Sequence, residues 1–522
     1  MTSPSTVLPV TLPTFPTRRS PCRPSRALRR IGAAAACAVS GLGFVGCAST
    51  ALPYGAPALP VAAHYAEDGP ATGDNAAAVG WRDYFVEPRL QALVAQALAH
   101  NRDLRVALLR VQEARAAYGI QGADRWPTLN AQAGESRSRT PADLNLTGRP
   151  LIGSEYQVAL GVASWEIDFW GRVRSLQDAA LETYLATDEA RRAATIALIA
   201  QVVNSDLQSR ETDERLVLAR QTIASRRESL RIFTRRVEVG STSRLALTQV
   251  QTLLSQAEAL GTQLEQARAA QRQALTLLVG APLVETAAAP LLDERHLMAE
   301  LRPGLPSELL TQRPDVVAAE HRLKATHASI AAARAAFFPR VALTGSLGTA
   351  SAELDGLFAS GSQSWSFMPS ISLPLFDGGR LRNNLSLAET RRELAVANYE
   401  QTVQGAFRDV NDALSARRWL DEQLTTARAA LFTQAERARL SQLRYDQGAA
   451  AFLDVLDAQR DLLVAEQALV QTRRALLASR VALYAALGGG SMALAPVPDA
   501  SAAAAQPEST LTPNPPAGPL TR

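Results

Sequence analysis

The sequence predicts a mainly α-helical fold with some β-structure, in which long antiparallel coiled-coil helices carry four short strands. Two stretches, 171–280 and 375–495, contain no proline, although the chain of 522 residues has 29 prolines. Proline is excluded where helices run unbroken. Four further segments alternate apolar and small polar residues with the two-residue period of a strand. Both features occur twice in the same order, which indicates an internal duplication.

The N-terminal residues have the pattern of an export signal. Six arginines precede the apolar run 31–45, which is too short to cross a bilayer but suits a signal-peptide core. The run ends in small residues before Cys47, which resembles the lipobox of bacterial lipoproteins. We predict a signal peptide over 1–46 and a covalent lipid on Cys47. The same resemblance implies delivery to the outer membrane, because the aspartate that holds such lipoproteins at the inner membrane is replaced here by Ala48. Cleavage near Ala48, with Cys47 discarded, is the alternative.

Composition argues against several functional classes. The net charge is +4, with 54 Lys+Arg against 50 Asp+Glu, so no nucleic-acid-binding footprint stands out. The charged stretches 226–238 and 422–440 are typical of solvated helix faces. All three cysteines lie before residue 48 and the five histidines are scattered. We therefore expect no catalytic residue, no metal site and no cofactor apart from the lipid.

The duplication divides the chain. Trp126-Pro127 matches Phe338-Pro339, and Gly280 matches Gly488, at nearly constant offset. We predict a lipid-linked N-terminal linker over 47–80, a first repeat over 81–295, a second repeat over 296–490 and a disordered tail over 491–522. The linker and the tail are both rich in alanine and proline, which favours extended or disordered chain.

Each repeat is expected to contain one helical hairpin. The stretches 172–239 and 380–447 would each be about 100 Å long if wholly helical. Gly240 and Gly448 follow them, and each glycine allows the left-handed backbone that a tight turn needs. A returning helix then completes an antiparallel coiled coil. These turns are candidate contacts for a partner protein, and a purely structural role is an equal alternative.

Four segments of roughly 10 residues are predicted as strands. In each, one face is apolar and the other is small or polar, and the loops 140–154 and 352–363 would join them as hairpins. The apolar faces are Leu129, Ala131 and Ala133; Tyr156, Val158, Leu160 and Val162; Val341, Leu343 and Leu347; and Trp365, Phe367, Ile371 and Leu373. A soluble sheet with one face on a core is the alternative. The export signal favours a membrane setting.

Strands that enter lipid must form a closed barrel, because every backbone N–H and C=O group then needs a partner. Four strands cannot close, since the smallest barrels need about eight. Two copies of the chain would give eight strands with a filled interior, and three would give twelve with room for a pore. We therefore expect four transmembrane strands per subunit and a homotrimer.

Several motifs resemble those of the TolC-type outer-membrane factors, in the lipidated OprM/NodT branch that serves resistance-nodulation-division (RND) efflux pumps. They are the segments 164–174 (SWEIDFWGRVR), 313–315 (RPD), 373–380 (LPLFDGGR) and 444–460 (RYDQGAAAFLDVLDAQR). The resemblance covers roughly 81–490. It implies a trimer whose twelve-stranded barrel continues into a periplasmic α-barrel, a periplasmic adaptor protein at the hairpin ends, and an inner-membrane RND pump.

The resemblance also implies a gate. Leu453, Asp457 and Arg460 fall on positions that constrict related channels, where three copies of Asp457 would form an acidic ring. The matching position in the first repeat is Gln249. An exposed ion pair of little consequence is the alternative. Two other functions stay open: a type I protein-secretion channel, and a soluble periplasmic coiled-coil adaptor. The exported substrate, whether antibiotic, metal, dye or solvent, also stays open.

Overall fold

The computed structural model describes residues 53–55, 57–58, 61–62, 64–66, 74–283, 292, 298, 301–302 and 308–494. Cys47 and the predicted signal peptide lie outside the described residues. The main elements are α1 (Pro88–His100), α2 (Arg102–Ala123), β1 (Leu129–Thr140), β2 (Leu151–Glu166), α3 (Arg172–Glu238), α4 (Arg244–Val279), α5 (Pro314–Ala335), β3 (Arg340–Ser351), β4 (Gln363–Ser372), α6 (Arg380–Asp446) and α7 (Phe452–Ala486).

Short elements complete the described chain. A parallel two-stranded ladder joins Asp74–Asn75 to Leu301–Arg302. The others are the short helices Trp81–Tyr84 and Leu309–Gln312, and single 3₁₀ turns at Ala142–Leu144 and Ser491–Ala493.

The two repeats have matching helices. The long helices α3 and α6 each contain 67 residues, and α2 and α5 each contain 22. Both long helices begin directly after a glycine with left-handed backbone, Gly171 (φ 74°) and Gly379 (φ 87°). The mainly helical prediction and the extent of the unbroken helices are therefore confirmed to within a residue at each end.

Both long helices end in the same hydrogen-bonded turn. Gly240 has φ 71°, its N–H donates to the carbonyl of Val237, and the next N–H, of Ser241, donates to Arg236. Gly448 has φ 76° and the corresponding bonds follow it. This pattern is the Schellman motif, which satisfies the last helix carbonyls only when the terminal residue is left-handed. The chain then reverses into α4 and α7.

One antiparallel sheet has the order β1-β2-β3-β4. Strand β2 has 16 residues, longer than the predicted ten, because a β-bulge lets it continue. Val162 pairs with Gly345 but Trp165 pairs with Leu343, so β2 holds one extra residue there. Ser164 lies in the bulge with φ 51°, and its N–H donates to Oγ1 of Thr344. Because of the extra residue, Trp165 lies on the same face of the sheet as Leu343.

At the end of β2, Glu166 forms ion pairs that connect the sheet to helix α3. Its carboxylate lies 2.8 Å from the Arg172 guanidinium at the start of α3 and 2.7 Å from the Arg340 guanidinium at the start of β3. The carboxylate is largely buried. One acid therefore fixes a strand end, a helix start and a neighbouring strand relative to one another.

The main hydrophobic core lies where the two repeats meet, around the ends of α1, α4 and α7. Tyr84 and Tyr484 stack with ring centroids 4.4 Å apart, and Phe85 packs edge-on against both rings. The Tyr84 hydroxyl donates to the carbonyl of Arg480 at 3.0 Å. These three buried rings, with both hydroxyls hydrogen-bonded, join the start of the first repeat to the last helix.

Parts of the predicted linker and tail are folded, which corrects both predictions at their inner ends. Ala76 and Ala77 are buried, beside the short ladder that begins at Asp74. Ser491 donates its hydroxyl to the carbonyl of Gln312 at 2.7 Å. These segments are ordered because alanine and serine are small enough to enter the core where the repeats meet, a feature that composition does not reveal.

Candidate functional site

Most of the large apolar residues of the four strands lie on one face of the sheet. Residues directly opposite each other in the ladder share a face, and one row joins Ala131, Leu160, Leu347 and Trp365 across the full sheet. Leu160, Leu347 and Trp365 are 52, 58 and 72% exposed. A row of large apolar side chains left in contact with solvent marks an interaction surface.

The opposite face is built mainly from small and polar residues, with Leu151 and Met368 as large apolar exceptions. One row joins Asn130, Gly161, Ser346 and Ser366, and the two serine hydroxyls lie 2.7 Å apart. Gly348 lies so close to β2 that a Cβ built on it would come within 2.1 Å of the Val158 carbonyl oxygen. The sheet therefore separates an apolar side from a hydrophilic one, as the alternation predicts.

An aromatic cluster joins the two hairpins near their turns. The Phe233 ring of α3 packs against Phe452 of α7, with centroids 4.4 Å apart, and Tyr445 of α6 packs against the same Phe452 at 4.9 Å. Arg236 donates a hydrogen bond to the Tyr445 hydroxyl and lies over the Phe233 ring. The cluster links three long helices, and sequence reasoning missed it.

The two turn glycines lie beyond this cluster. Both Gly240 and Gly448 are exposed, and a Cβ built on either would contact nothing within 4 Å. Their positive φ is therefore the constraint that favours glycine, and the space around each turn is open.

The three predicted gate residues lie on one continuous helix, α7. Leu453 is 44% exposed, and Asp457 Oδ1 is 3.1 Å from Arg460 Nη1. Arg460 also reaches Asp461 at 3.2 Å, and Asp461 pairs with Arg437 of α6 at 2.6 Å. Hydrogen bonds from Arg437 and then Arg460 lower the pKa of Asp461. The helix face thus carries an alternating chain of acids and bases that is open to solvent.

Arg226 corrects one sequence prediction. The stretch 226–238 was expected to form a solvated helix face, but Arg226 is only 3% exposed. Its Nη2 reaches the Leu456 carbonyl at 3.5 Å, and its Nη1 has no hydrogen-bond partner among the described residues. Burial, and then the charge of Arg460, lower the pKa of Arg226.

The spacing of Arg226 contains the signal that was missed. It precedes Leu230 by four residues and Phe233 by seven, so it occupies the apolar stripe of α3 that packs against α7. Its charge suggested that Arg226 is exposed like the charged residues after it. Its position in the helical period instead predicts that it is buried in the core.

Two kinds of feature are missing from the described part of the chain. No described helix combines the length and the apolar character needed to cross a bilayer. The described residues also bring together no group of three or more histidine, cysteine, aspartate or glutamate side chains able to hold a metal ion.

Comparison with known proteins decides the family. Residues 93–281 and 305–489 match the family described as outer membrane efflux protein, once in each repeat. The chain belongs to the outer membrane efflux protein family. It is 44% identical over 460 residues to outer membrane protein OprJ of Pseudomonas aeruginosa, covering 85% of this chain and 94% of OprJ. It is 43% identical to the solvent efflux pump outer membrane protein SrpC of Pseudomonas putida, covering 78% and 87%.

Solved structures of this efflux protein family have the same architecture. The open-state outer-membrane channel MtrE of Neisseria gonorrhoeae superposes with a TM-score of 0.78 at 38% identity, covering 84% of this chain and 98% of MtrE. CusC superposes with a TM-score of 0.76 at 36% identity, covering 84% and 99%. The resemblance found in the sequence is confirmed. The chain is an outer-membrane efflux component, and its family consists of channel proteins.

Proposed function

We propose that this chain is the channel subunit through which a tripartite efflux system exports small molecules across the outer membrane. The observation that carries the proposal is the exposed apolar row across all four strands, on a sheet whose edge strands β1 and β4 have no further partner among the described residues. The row suits contact with lipid, and the edges suit pairing with other copies of the chain.

Three copies would close a twelve-stranded barrel, with the apolar rows facing lipid and the serine-rich face lining the lumen. The long helices would continue the duct into the periplasm. Twelve strands leave room for a pore, whereas the eight strands of a dimer would be filled by their own side chains. Efflux through such a conduit needs no chemistry by this chain.

The gate would lie on α7. Leu453 narrows the duct and Asp457 contributes one carboxylate per subunit, which Arg460 neutralises at 3.1 Å. The matching residue of the first repeat is the uncharged Gln249, so three copies would bring three carboxylates of this kind to the axis. The Arg460 pairs keep these like charges compatible with a closed ring.

The partners would meet the chain at its two ends. The exposed turns at Gly240 and Gly448 would contact a periplasmic adaptor protein, which joins an inner-membrane RND pump. Cys47 would carry the lipid that anchors the N-terminus in the outer membrane. The lipid-linked linker would begin at Cys47, and the two repeats would begin near residues 81 and 296.

The exported substrates would be small organic molecules. Relatives are named for solvent, toluene and antibiotic efflux, at 41–43% identity. A protein substrate, as in type I secretion, is the second candidate. Deleting the gene separates the two, because sensitivity to solvents and antibiotics should rise while the set of secreted proteins stays unchanged.

Carbonate extraction and a mass measurement test the assembly. The protein should stay in the membrane fraction in alkaline carbonate, and its detergent-solubilised complex should have the mass of three lipid-modified chains. A carbonate-released, water-soluble monomer would overturn the proposal. Replacing Cys47 by serine should remove the lipid mass while leaving the copy number at three.

A further inference from the structure

Three arginines lie at the end of the first hairpin that is farthest from the helices. Arg137 and Arg139 belong to β1, and Arg149 lies in the loop that leads to β2. All three are exposed. Within the described part of the chain, none of the three forms an ion pair, whereas the helix arginines Arg172, Arg227 and Arg437 do.

Strand alternation places two of these arginines on the apolar face. Arg137 pairs with Ser154 and Arg139 pairs with Ile152, in the same ladder in which Ala131 pairs with Leu160. Residues an even number of positions apart on a strand share a face. Ile152 beside Arg139 is 60% exposed. At this end, the apolar face of the sheet therefore carries two arginines on β1, and an exposed isoleucine lies opposite Arg139 on β2.

The acidic groups nearby form no ion pair with these arginines within the described part of the chain. Glu135 shares the face but accepts a hydrogen bond from Tyr156. Glu155 opposes Ser136 and so lies on the hydrophilic face. Asp143 is the remaining acid of the loop. Strand β3 of the second hairpin ends at Ser351, level with Glu135, and the loop 352–362 beyond it contains no Lys or Arg; its acids are Glu353 and Asp355.

The height of the arginines matches a membrane surface. Arg137 lies eight residues beyond Leu129, which is about 20 Å along the membrane normal for a strand tilted by about 40°. The apolar band of an outer-membrane barrel is about 25 Å tall. The guanidinium groups therefore reach the level at which hydrocarbon gives way to the outer headgroups.

We propose that Arg137, Arg139 and Arg149 bind the phosphate groups of phosphorylated lipids in the outer leaflet. Tyr156, Val158 and Leu160, which lie lower on the same face, contact the acyl chains. The inference rests on the proposed function, which places these strands in the outer membrane. The planar guanidinium group donates two parallel hydrogen bonds to a phosphate. A lipid rather than a free anion is indicated because the arginines continue an exposed apolar surface, which a soluble ion would not use.

Lipid binding to the purified complex tests the proposal. The probes are lipid A carrying two phosphates, the same glycolipid with its phosphates removed, and inorganic phosphate, each added to protein in neutral detergent and measured by native mass spectrometry. For the wild type, bis-phosphorylated lipid A should bind best. In Arg137→Gln/Arg139→Gln/Arg149→Gln its affinity should fall about tenfold or more, because each basic residue at a membrane surface contributes a separate attraction.

A charge-matched control removes three exposed arginines of α2, in Arg102→Gln/Arg105→Gln/Arg110→Gln, and should leave lipid affinity unchanged. Equal affinity of the hairpin variant and the wild type, or equal binding of the dephosphorylated lipid, would overturn the inference. If millimolar inorganic phosphate displaced the lipid, the arginines would be a site for free anions, and this would also overturn the inference. Carbonate extraction of the wild type separates the two failures, since release would overturn the proposed function and this inference together.

Discussion

Gly280 lies directly against the backbone of His100, so that a Cβ built on the glycine would come within 2.4 Å of the His100 carbonyl oxygen. Gly488 has the same relation to Gln312 in the second repeat, at 2.7 Å. Both glycines end a returning helix with positive φ, 72° and 75°. Each repeat thus closes by pressing the end of its hairpin onto the loop between its first helices.

Gly280→Ala should lower the free energy of unfolding by about 3 kcal/mol, from left-handed strain of about 1–2 kcal/mol and an additional backbone clash. Gly240→Ala is the matched control, because Gly240 has a similar φ of 71° but open space around it. The Gly240→Ala variant should be destabilised only by the left-handed strain, by about 1–2 kcal/mol. Thermal unfolding followed by circular dichroism gives both values, and equal losses would show that the close contact contributes nothing.

Arg226→Met should raise the free energy of unfolding by about 1–3 kcal/mol. Methionine removes a buried charge that has no carboxylate partner among the residues that the structure describes, and it keeps an apolar stem of similar length. The neighbouring Arg227 is exposed and pairs with Glu258 at 2.8 Å. Arg227→Met should therefore change stability by less than about 1 kcal/mol. Chemical denaturation of both variants checks this. Destabilisation by Arg226→Met would mean that the assembled protein supplies an anion to the guanidinium.

Asp409→Asn should make stability less dependent on acid pH. Burial raises the pKa of Asp409, but hydrogen bonds from Arg408 and Arg313 outweigh burial, so the folded-state pKa lies below its ordinary value of 3.8. A carboxyl group with a lowered folded pKa stabilises the protein in full above its unfolded pKa, and this contribution disappears as pH falls through the folded value.

The wild type should therefore exceed Asp409→Asn in melting temperature at pH 7, and the gap should shrink below about pH 4. Asp412→Asn removes an exposed carboxylate 3.8 Å from Arg408 and serves as the control, with little change expected at pH 7. A gap that stays constant down to strongly acidic pH would contradict the assignment of this stability to the Asp409 carboxylate.

Arg460→Gln should favour the open gate, because it leaves the Asp457 carboxylates of the assembled channel without their paired guanidinium groups. Conductance in planar bilayers should increase severalfold, and cells should become sensitive to large antibiotics. The double variant Asp457→Asn/Arg460→Gln should return both towards the wild type. Arg439→Gln breaks a similar exposed pair with Glu436 on α6 and should have no effect. An open double variant would locate the gate elsewhere.

Local physical rules predicted the regular elements well. Unbroken helices exclude proline, and a half-exposed strand alternates, so residues 172–239 and the face containing Leu160 and Trp365 were identified from spacing alone. The gate prediction rests on resemblance and stays a prediction, although Asp457 and Arg460 lie within ion-pairing distance. The same applies to the lipid on Cys47.

The features that sequence reasoning missed depend on contacts between distant segments. The bulge at Ser164 is set by the pairing of β2 with β3, and no local pattern marks it. Arg236 and Tyr445 are 209 positions apart and meet only because two hairpins pack side by side. Arg226 differs from these features, because a local signal was present: its position in the helical period predicts burial, although its charge suggested exposure.

In a single copy of the chain, the sheet has two edge strands, β1 and β4, and its apolar face is exposed. A newly secreted chain crossing the aqueous periplasm therefore displays sites to which any extended polypeptide could add. In the proposed trimer these edges would be paired. The yield of assembled channel should therefore depend on how quickly newly secreted copies meet one another or a chaperone.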